Sequence, residues 1–337
     1  MENQLSTLNA VKTVNAPKVV VYYQNKNITS DISRYLQSLT YTDYEKGNSD
    51  ELEITLKDNH KLFQKNLRPI KGDKISAYIG YSDEELLNCG TFTIDEVSYS
   101  FSLSGEEFSI KGLAASINQN IRDKNNKSYK NKTLVQIAKE IANKHGYTVA
   151  GRYGFTKISY VAQVNESDIA FLARIAKLYG YIFKLTDKVI TFLPEENFTN
   201  KKSVRTVKPE DLSSGNIQDS SVQTYASCSV KYLNPKGKLV TYTAKDPNNK
   251  AKHKKTNKLT VKCGSKSEAM RVAKAGLLHG TKTIKGTLQF KKGYVNMIAG
   301  VNFQLDLGNN YDGKYHITQS THTISTDEFT TSIEFEG

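Results

Sequence analysis

The 337-residue sequence has no tryptophan, three cysteines and six prolines. Cys89, Cys228 and Cys263 are an odd, widely spaced set. They spell neither a disulfide ladder nor a C-x-x-C metal clamp, and they suit a chain made in a reducing compartment. A long apolar run is also missing. The longest, Val19-Val20-Val21-Tyr22-Tyr23, falls far short of the roughly 20 residues that a membrane span requires. The start, Met1-Glu2-Asn3-Gln4, has no basic region leading into an apolar stretch, so no signal peptide is expected and synthesis in the cytoplasm follows. Apolar residues make up 38% of the chain, below the roughly 45–50% of an average globular protein. Thin cores and much hydrated or subunit-facing surface are therefore expected.

Acidic residues are outnumbered. Against 34 of them stand 47 lysines and arginines, a formal charge of +13 that favours acidic partners: nucleic acid, an anionic surface or an acidic protein face. The excess is uneven. Between residues 245 and 262 lie Lys245, Lys250, Lys252, His253, Lys254, Lys255, Lys258 and Lys262, against the single acid Asp246. A solvated loop is the plain reading of this run. No aromatic residues interleave to stack on bases, which tells against nucleic-acid binding and leaves contact with an acidic protein or lumen as the alternative.

Catalytic and metal-binding constellations are absent as well. The six histidines, His60, His145, His253, His279, His316 and His322, form no H-E-x-x-H or H-x-x-x-H spacing. His316 and His322 are evenly spaced, but a turn is expected between them. His145 and His279 each precede a glycine at a predicted helix end, where a cation suits the dipole. There is no G-x-S-x-G elbow and no glycine-rich phosphate loop. Cys89 has no histidine nearby, and Glu84-Glu85, Glu106-Glu107 and Glu195-Glu196 sit in predicted turns. No catalytic residue, metal ligand or cofactor is assigned.

What the sequence does contain is strand periodicity interrupted once. Residues 1–16 read as a flexible arm. From 17 to 115 the period is two: Leu52, Ile54 and Leu56, then Ile75, Ala77 and Ile79, alternate with polar residues. Tyr99, Phe101 and Leu103 run into Ser104-Gly105, and Phe108 and Ile110 run out again, a predicted hairpin. Over 116–195 the pattern becomes α+β. Leu134, Ile137, Ala138, Ile141 and Ala142 predict a helix capped by Thr133 and closed by Gly146; Ile169, Leu172, Ile175, Ala176 and Tyr179 predict a second one ended by Gly180. Asn165 is the expected cap of that second helix, with Asp168 answering it as in a capping box. Residues 196–215 read as a linker. From 216 to 337 strands return, interrupted by the lysine-rich loop and by one helix over 265–279 that opens on Ser265 and Glu268. The expected fold is mainly β: two small antiparallel β-barrels flanking an α+β insert.

One stretch carries a family resemblance. Gln163-Val164-Asn165-Glu166-Ser167-Asp168-Ile169-Ala170-Phe171-Leu172 resembles the "Q-x-N-E-S-D-hydrophobic-x-F-L" helix of the late control D proteins, the baseplate or tail hubs of contractile-tailed phages, related to the hub portion of type VI secretion spike proteins. Lys132-Thr133-Leu134-Val135-Gln136-Ile137-Ala138 is similar to that family's "T-L-x-x-I-A" helix. Gly313-Lys314-Tyr315-His316-Ile317, His322-Thr323-Ile324 and Phe329-Thr330-Thr331 resemble its closing strands. The lysine-rich run at 245–262 is not part of the resemblance.

The resemblance implies a scaffold rather than an enzyme. It implies a homotrimer in which each chain gives two tube-like barrels, adapting a sixfold tail tube above to a threefold spike below. Expected partners are other copies of the chain, the spike protein, tube or tube-initiator proteins, and a tape-measure protein in the lumen, in a virion or a phage-tail-like bacteriocin. No specific nucleic acid is expected. Asn165, Glu166, Ser167, Asp168, Phe171 and Leu172 are assigned a structural role at the helix start. Lys250, Lys252, Lys254, Lys255 and Lys258 are the candidate partner-contact loop. A spike component with cell-wall lytic activity, or a basic nucleic-acid-binding protein, are the alternatives.

Overall fold

In a computed structural model of the chain, residues 16–46, 48–103, 105–114, 121, 123–152, 154, 156–186, 188–196, 201–220, 225–234, 236–246, 255–281 and 283–337 are described. The arm expected over residues 1–16 lies outside them, apart from Ala16.

The period-two run after Pro17 folds as strands. β1 (Pro17–Tyr23), β2 (Lys26–Asn27), the one-turn helix α1 (Thr29–Ile32), β3 (Leu36–Tyr44), β4 (Glu51–Lys57), β5 (Lys74–Tyr81), β6 (Leu87–Ser102) and β7 (Gly105–Leu113) follow in order. Successive strand side chains point to opposite faces, so Leu52, Ile54 and Leu56 of β4 and Ile75, Ala77 and Ile79 of β5 all turn inward and are buried. β6 and β7 form the expected hairpin, with Tyr99 opposite Phe108 and Ser102 opposite Gly105.

The insert opens with β8 (Lys124–Thr133). Helix α2 (Leu134–His145), β9 (Thr148–Gly151), β10 (Lys157–Ser167), helix α3 (Asp168–Leu178), β11 (Tyr181–Thr186) and β12 (Val189–Pro194) follow. α2 starts on the Thr133 cap that the sequence predicts, and the structure makes it a full capping box: the Thr133 hydroxyl accepts from the Gln136 amide at 3.3 Å, and the Gln136 side chain accepts from the Thr133 amide at 2.9 Å. It stops at Gly146, whose φ of 69° is left-handed and free of a Cβ penalty only in glycine. Gly151 is held more tightly. A Cβ there would lie 2.0 Å from the Phe192 carbonyl oxygen, at a φ of +108°.

The remaining elements are β13 (Ser203–Val207), β14 (Leu212–Asp219), β15 (Ser227–Leu233), β16 (Leu239–Lys245), β17 (Thr256–Cys263), helix α4 (Lys266–Thr281), β18 (Ile284–Phe290), β19 (Asn302–Leu305), β20 (Gly313–Ile324) and β21 (Phe329–Glu336). The stretch 196–215, read as a linker, is partly sheet, since β13 runs parallel to β19 and β14 pairs with β18.

The second difference concerns residues 227–281, which the sequence pattern groups with the closing strands. The structure packs them on the insert. Val230, Ala244, Cys263, Ala269, Val272 and Ala273 share one core with Ile137, Phe171, Leu172, Ile175 and Phe192. The tie is polar as well as apolar. Fully buried Glu268 of α4 accepts hydrogen bonds from the Ser159 amide and hydroxyl (3.1 and 2.6 Å), the Tyr179 hydroxyl (2.8 Å) and the Gly264 amide (2.9 Å). Ser265 caps α4 as predicted, its hydroxyl accepting from the Glu268 amide.

The two strand-rich segments meet in one 13-stranded sheet, ordered β14-β18-β21-β20-β3-β4-β7-β6-β5-β1-β2, with β19 against β20 and β13 against β19. The join is β20 on β3, Ile324 opposite Leu39 and Gln319 opposite Tyr44. The sheet covers two cores, and Ile324 and Phe329 of the closing strands enter the first of them. Val21, Leu39, Ile54 and Phe92 centre the first; Phe290, Phe303, Ile317 and Phe335 centre the second. The chain is thus mainly β around an α+β insert, and among the described residues no helix is long and apolar enough to cross a membrane.

Candidate assembly surfaces and the junction behind them

The motif at the start of α3 spans the end of β10 and the first turns of the helix. Between Gln163 and Glu166 the β10–β8 register slips, and Asn165 takes a left-handed φ of 48° there. Its amide donates to Asn126 Oδ1 at 2.9 Å. Asn165 is therefore not the cap. The cap is Ser167, whose hydroxyl accepts from the Ala170 amide at 3.2 Å, because the bulge ends the strand two residues later than the pattern suggests. Glu166 pairs with Arg174. Asp168, the first helical residue, is buried and accepts from Gln163 Nε2 (2.8 Å), His145 Nε2 (2.7 Å) and Lys144 Nζ (3.1 Å). Burial opposes its charge, but the hydrogen bonds from His145, Gln163 and Lys144 outweigh it and hold the carboxyl below its ordinary range. Phe171 and Leu172 are fully buried, Phe171 stacking on Tyr129 at 5.4 Å.

A polar junction joins the insert to both β segments. Lys184 of β11 reaches Asp43 of β3 at 2.8 Å and Asp50 at 2.9 Å. Asp43 also accepts from the Ala299 amide, and Asp50 from the Tyr44 amide, both at 3.0 Å. Burial works to lower the Lys184 ammonium, but the two carboxylates prevail and hold it above its usual value. Asp50 goes the other way. Desolvation, with repulsion from Asp43, raises it to about 6 despite Lys184. Beside this cluster Lys46 lies 3.5 Å from Glu45, 3.4 Å from Glu195 of the insert and 3.6 Å from Glu336 of β21. These long-range pairs are not legible in the sequence, since nothing local links Lys184 to residues some 140 positions earlier.

The side chains of His145, His316 and His322 are buried. His145 does not merely sit at a helix end; its buried ring is bonded to Asp168 on the next helix. His316 and His322 lie on the one strand β20 with no turn between them. His316 bonds to Glu45 and to Asn302, whereas His322 lies between Ser320 and Thr331 and stacks on Tyr41. Desolvation lowers His322 to about 4. Burial pushes the Cys228 thiol up to about 11 and Cys263 up to about 12, and Cys89 is likewise raised. Among the described residues, no group of three His, Cys, Asp or Glu side chains could hold a metal ion.

Two features lie open at the surface. At the tip of the β6–β7 hairpin Phe101 is 76% exposed and Leu103 fully exposed, with Tyr99 stacked on Phe101 at 5.8 Å. β5 accompanies β6 only as far as Thr93, so beyond it one edge of β6 carries no described strand. The second feature is basic. Of the candidate contact lysines, Lys250, Lys252 and Lys254 lie outside the described residues, Lys255 is exposed before β17, and Lys258 is exposed within it.

A family model described as the phage tail baseplate hub (GPD) matches residues 119–328, more than half of the chain. The chain belongs to this family. The matched region covers the insert, its Asn165–Leu172 motif and most of the closing strands. Among curated relatives, the hub chain is 31% identical over 166 residues to a probable baseplate hub protein of Escherichia phage P2, covering 49% of this chain and 42% of that one. It is 27% identical over 180 residues to its counterpart in Escherichia phage 186, covering 53% and 45%. The match thus spans less than half of the length of these relatives. The fold is similar throughout to that of a prophage MuSo2 tail protein from Shewanella oneidensis, at a TM-score of 0.69, 13% identity, and 95% and 98% coverage. It is also similar to that of an Escherichia coli component of the type VI secretion system, at a TM-score of 0.52, 12% identity, and 89% and 73% coverage.

Proposed function

We propose that this hub chain is a structural homotrimer that adapts a sixfold tail tube to a threefold spike in a contractile phage tail or phage-tail-like particle. The observation that carries the reading is the shared sheet. One chain bears two strand-rich segments over two cores, so three copies supply six such segments to a tube and three chains to a spike. The ends of the sheet are unlike, β14 at one and β1–β2 at the other. Contacts between unlike edges are head-to-tail, the kind that builds a ring when the rotation between neighbours closes. The hairpin tip supports the same reading, since an exposed apolar edge strand invites burial by a neighbour. The partners implied are the spike protein, tube or tube-initiator proteins and a tape-measure protein in the lumen. The role is that of a scaffold rather than an enzyme.

The test is the native mass of the purified chain, alone and with the particle's spike protein. Three copies of 37.8 kDa, about 113 kDa, are expected in at least one sample; a single chain in both sinks the trimer. Replacing Phe101 and Leu103 together by glutamate should shift the trimer to single chains without lowering the melting temperature. Both side chains are exposed in the isolated chain, and surface changes there stay within about 0.5 kcal/mol. A trimer that persists would remove the hairpin from the interface.

A further inference from the structure

The three-stranded sheet β16-β15-β17 has two unlike faces. One carries Val230, Ala244 and Cys263 into the insert core under α4. The other is open. It forms a groove of about 880 Å³ against β10, lined by Lys231, Lys258, Lys262, Leu233, Leu239 and Tyr160 with small hydroxyl residues between them. Leu233 and Leu239, directly opposite each other in the register, are 50% and 65% exposed, and Tyr160 is 47% exposed.

Among the described residues the charge on this face is uncompensated. No Asp or Glu lines the groove, and among the described residues none approaches Lys231, Lys258 or Lys262 within ion-pair distance. Elsewhere in the chain Lys46, Lys111, Lys127, Lys132, Lys144 and Lys184 each meet a carboxylate. Like charges side by side on a sheet repel one another unless a counter-charge arrives. The exposed leucines select the kind of counter-charge. A phosphate backbone gains nothing from them, and one tyrosine is no platform for successive bases. A second copy of this chain, at +13, is a poor partner for a basic face.

We propose that this groove docks an acidic polypeptide segment of a different baseplate protein, its carboxylates on Lys231, Lys258 and Lys262 and an apolar residue on Leu233 and Leu239. The proposal rests on the baseplate role given above. Apolar anchors inside a charged rim are the anatomy of a specific protein contact.

Amine acetylation of purified particles and of the free chain tests it. In particles, Lys231, Lys258 and Lys262 should react about fivefold or more slowly than in the free chain, as expected for groups inside an interface that excludes water. Zero-length carbodiimide coupling should join them to Asp or Glu of another protein. The double variant Lys231→Glu/Lys258→Glu should enter particles about tenfold less well with its melting temperature unchanged, and Lys231→Arg/Lys258→Arg should enter normally, because arginine keeps the charge. Undiminished reactivity in particles that contain the chain overturns the proposal and leaves the hub reading intact. Protection that vanishes on nuclease treatment assigns the groove to nucleic acid and overturns it too, as does coupling to a second copy of the hub. Absence of the chain's peptides from the particle overturns both readings.

Discussion

Lys184→Met should lower the unfolding free energy by about 3 kcal/mol, because it leaves two buried carboxylates facing each other without their cation. Asp43 and Asp50 are 7% exposed at their side chains and share the single ammonium at 2.8 and 2.9 Å. A chemical-denaturation midpoint at neutral pH measures the loss, and an unchanged midpoint would show that the junction holds nothing together. Asp50→Asn is expected to behave differently. At about 6 the carboxyl is ionised at neutral pH against the cost of its burial, so a neutral isostere, whose carbonyl oxygen can still accept from the Tyr44 amide, should not lower the midpoint at neutral pH.

The same variant exposes a pH effect. Asp50 is raised from 3.8 to about 6, so between those values the folded chain holds a proton that the unfolded chain releases; its contribution is full below about pH 3.8 and is lost as pH rises through 6. His322 is lowered from 6.5 to about 4, so there the unfolded chain binds the extra proton; its contribution is full above about pH 6.5 and is lost as pH falls toward 4. The two slopes oppose. Asp50→Asn removes one of them, and stability of the variant should rise more steeply with pH over this window than that of the parent. Parallel melting-temperature profiles for the two proteins would refute the assignment.

Glu268→Ala should cost about 4 kcal/mol or more. It strips the acceptor from the Ser159 amide and hydroxyl and from the buried Tyr179 hydroxyl, and one of two acceptors from the Gly264 amide, around a fully buried carboxylate, and each buried donor left unmet costs roughly 1–3 kcal/mol. The same carboxylate ties β10, the end of α3 and the start of α4, so unfolding in urea should lose cooperativity as the three separate. Glu268→Gln should recover only part of the loss, because its amide nitrogen would face the Gly264 N–H, a donor against a donor. A variant with parental stability would mean that water replaces the carboxylate.

Much of this organisation is written locally. Alternation at Leu52–Leu56 and Ile75–Ile79 predicts strands because a pleat exposes every second side chain, and that rule needs no partner. Thr133 with Gln136, and Gly146, mark the ends of α2 through hydrogen bonds and a φ value that those residues meet within one turn of chain. The hub motif was readable for the same reason, being contiguous, although its cap lies at Ser167 and not Asn165; a one-strand bulge needs the facing strand to exist before it can slip.

What lay beyond the sequence was every contact between distant segments. The pairing of β20 with β3 unites residues some 280 apart, and the burial of β15–β17 and α4 on the insert was hidden because an apolar face announces that it will be covered without saying by what. The lysine pattern at 245–262 likewise read as a loop. Only the register of three strands gathers Lys231, Lys258 and Lys262 over Leu233 and Leu239 on one open face. The sequence by itself determined most of the element types, the caps of α2 and α4, and the family. The tertiary structure decided which faces meet and which charges stay unpaired, because pairing energies depend on distance in space and not along the chain.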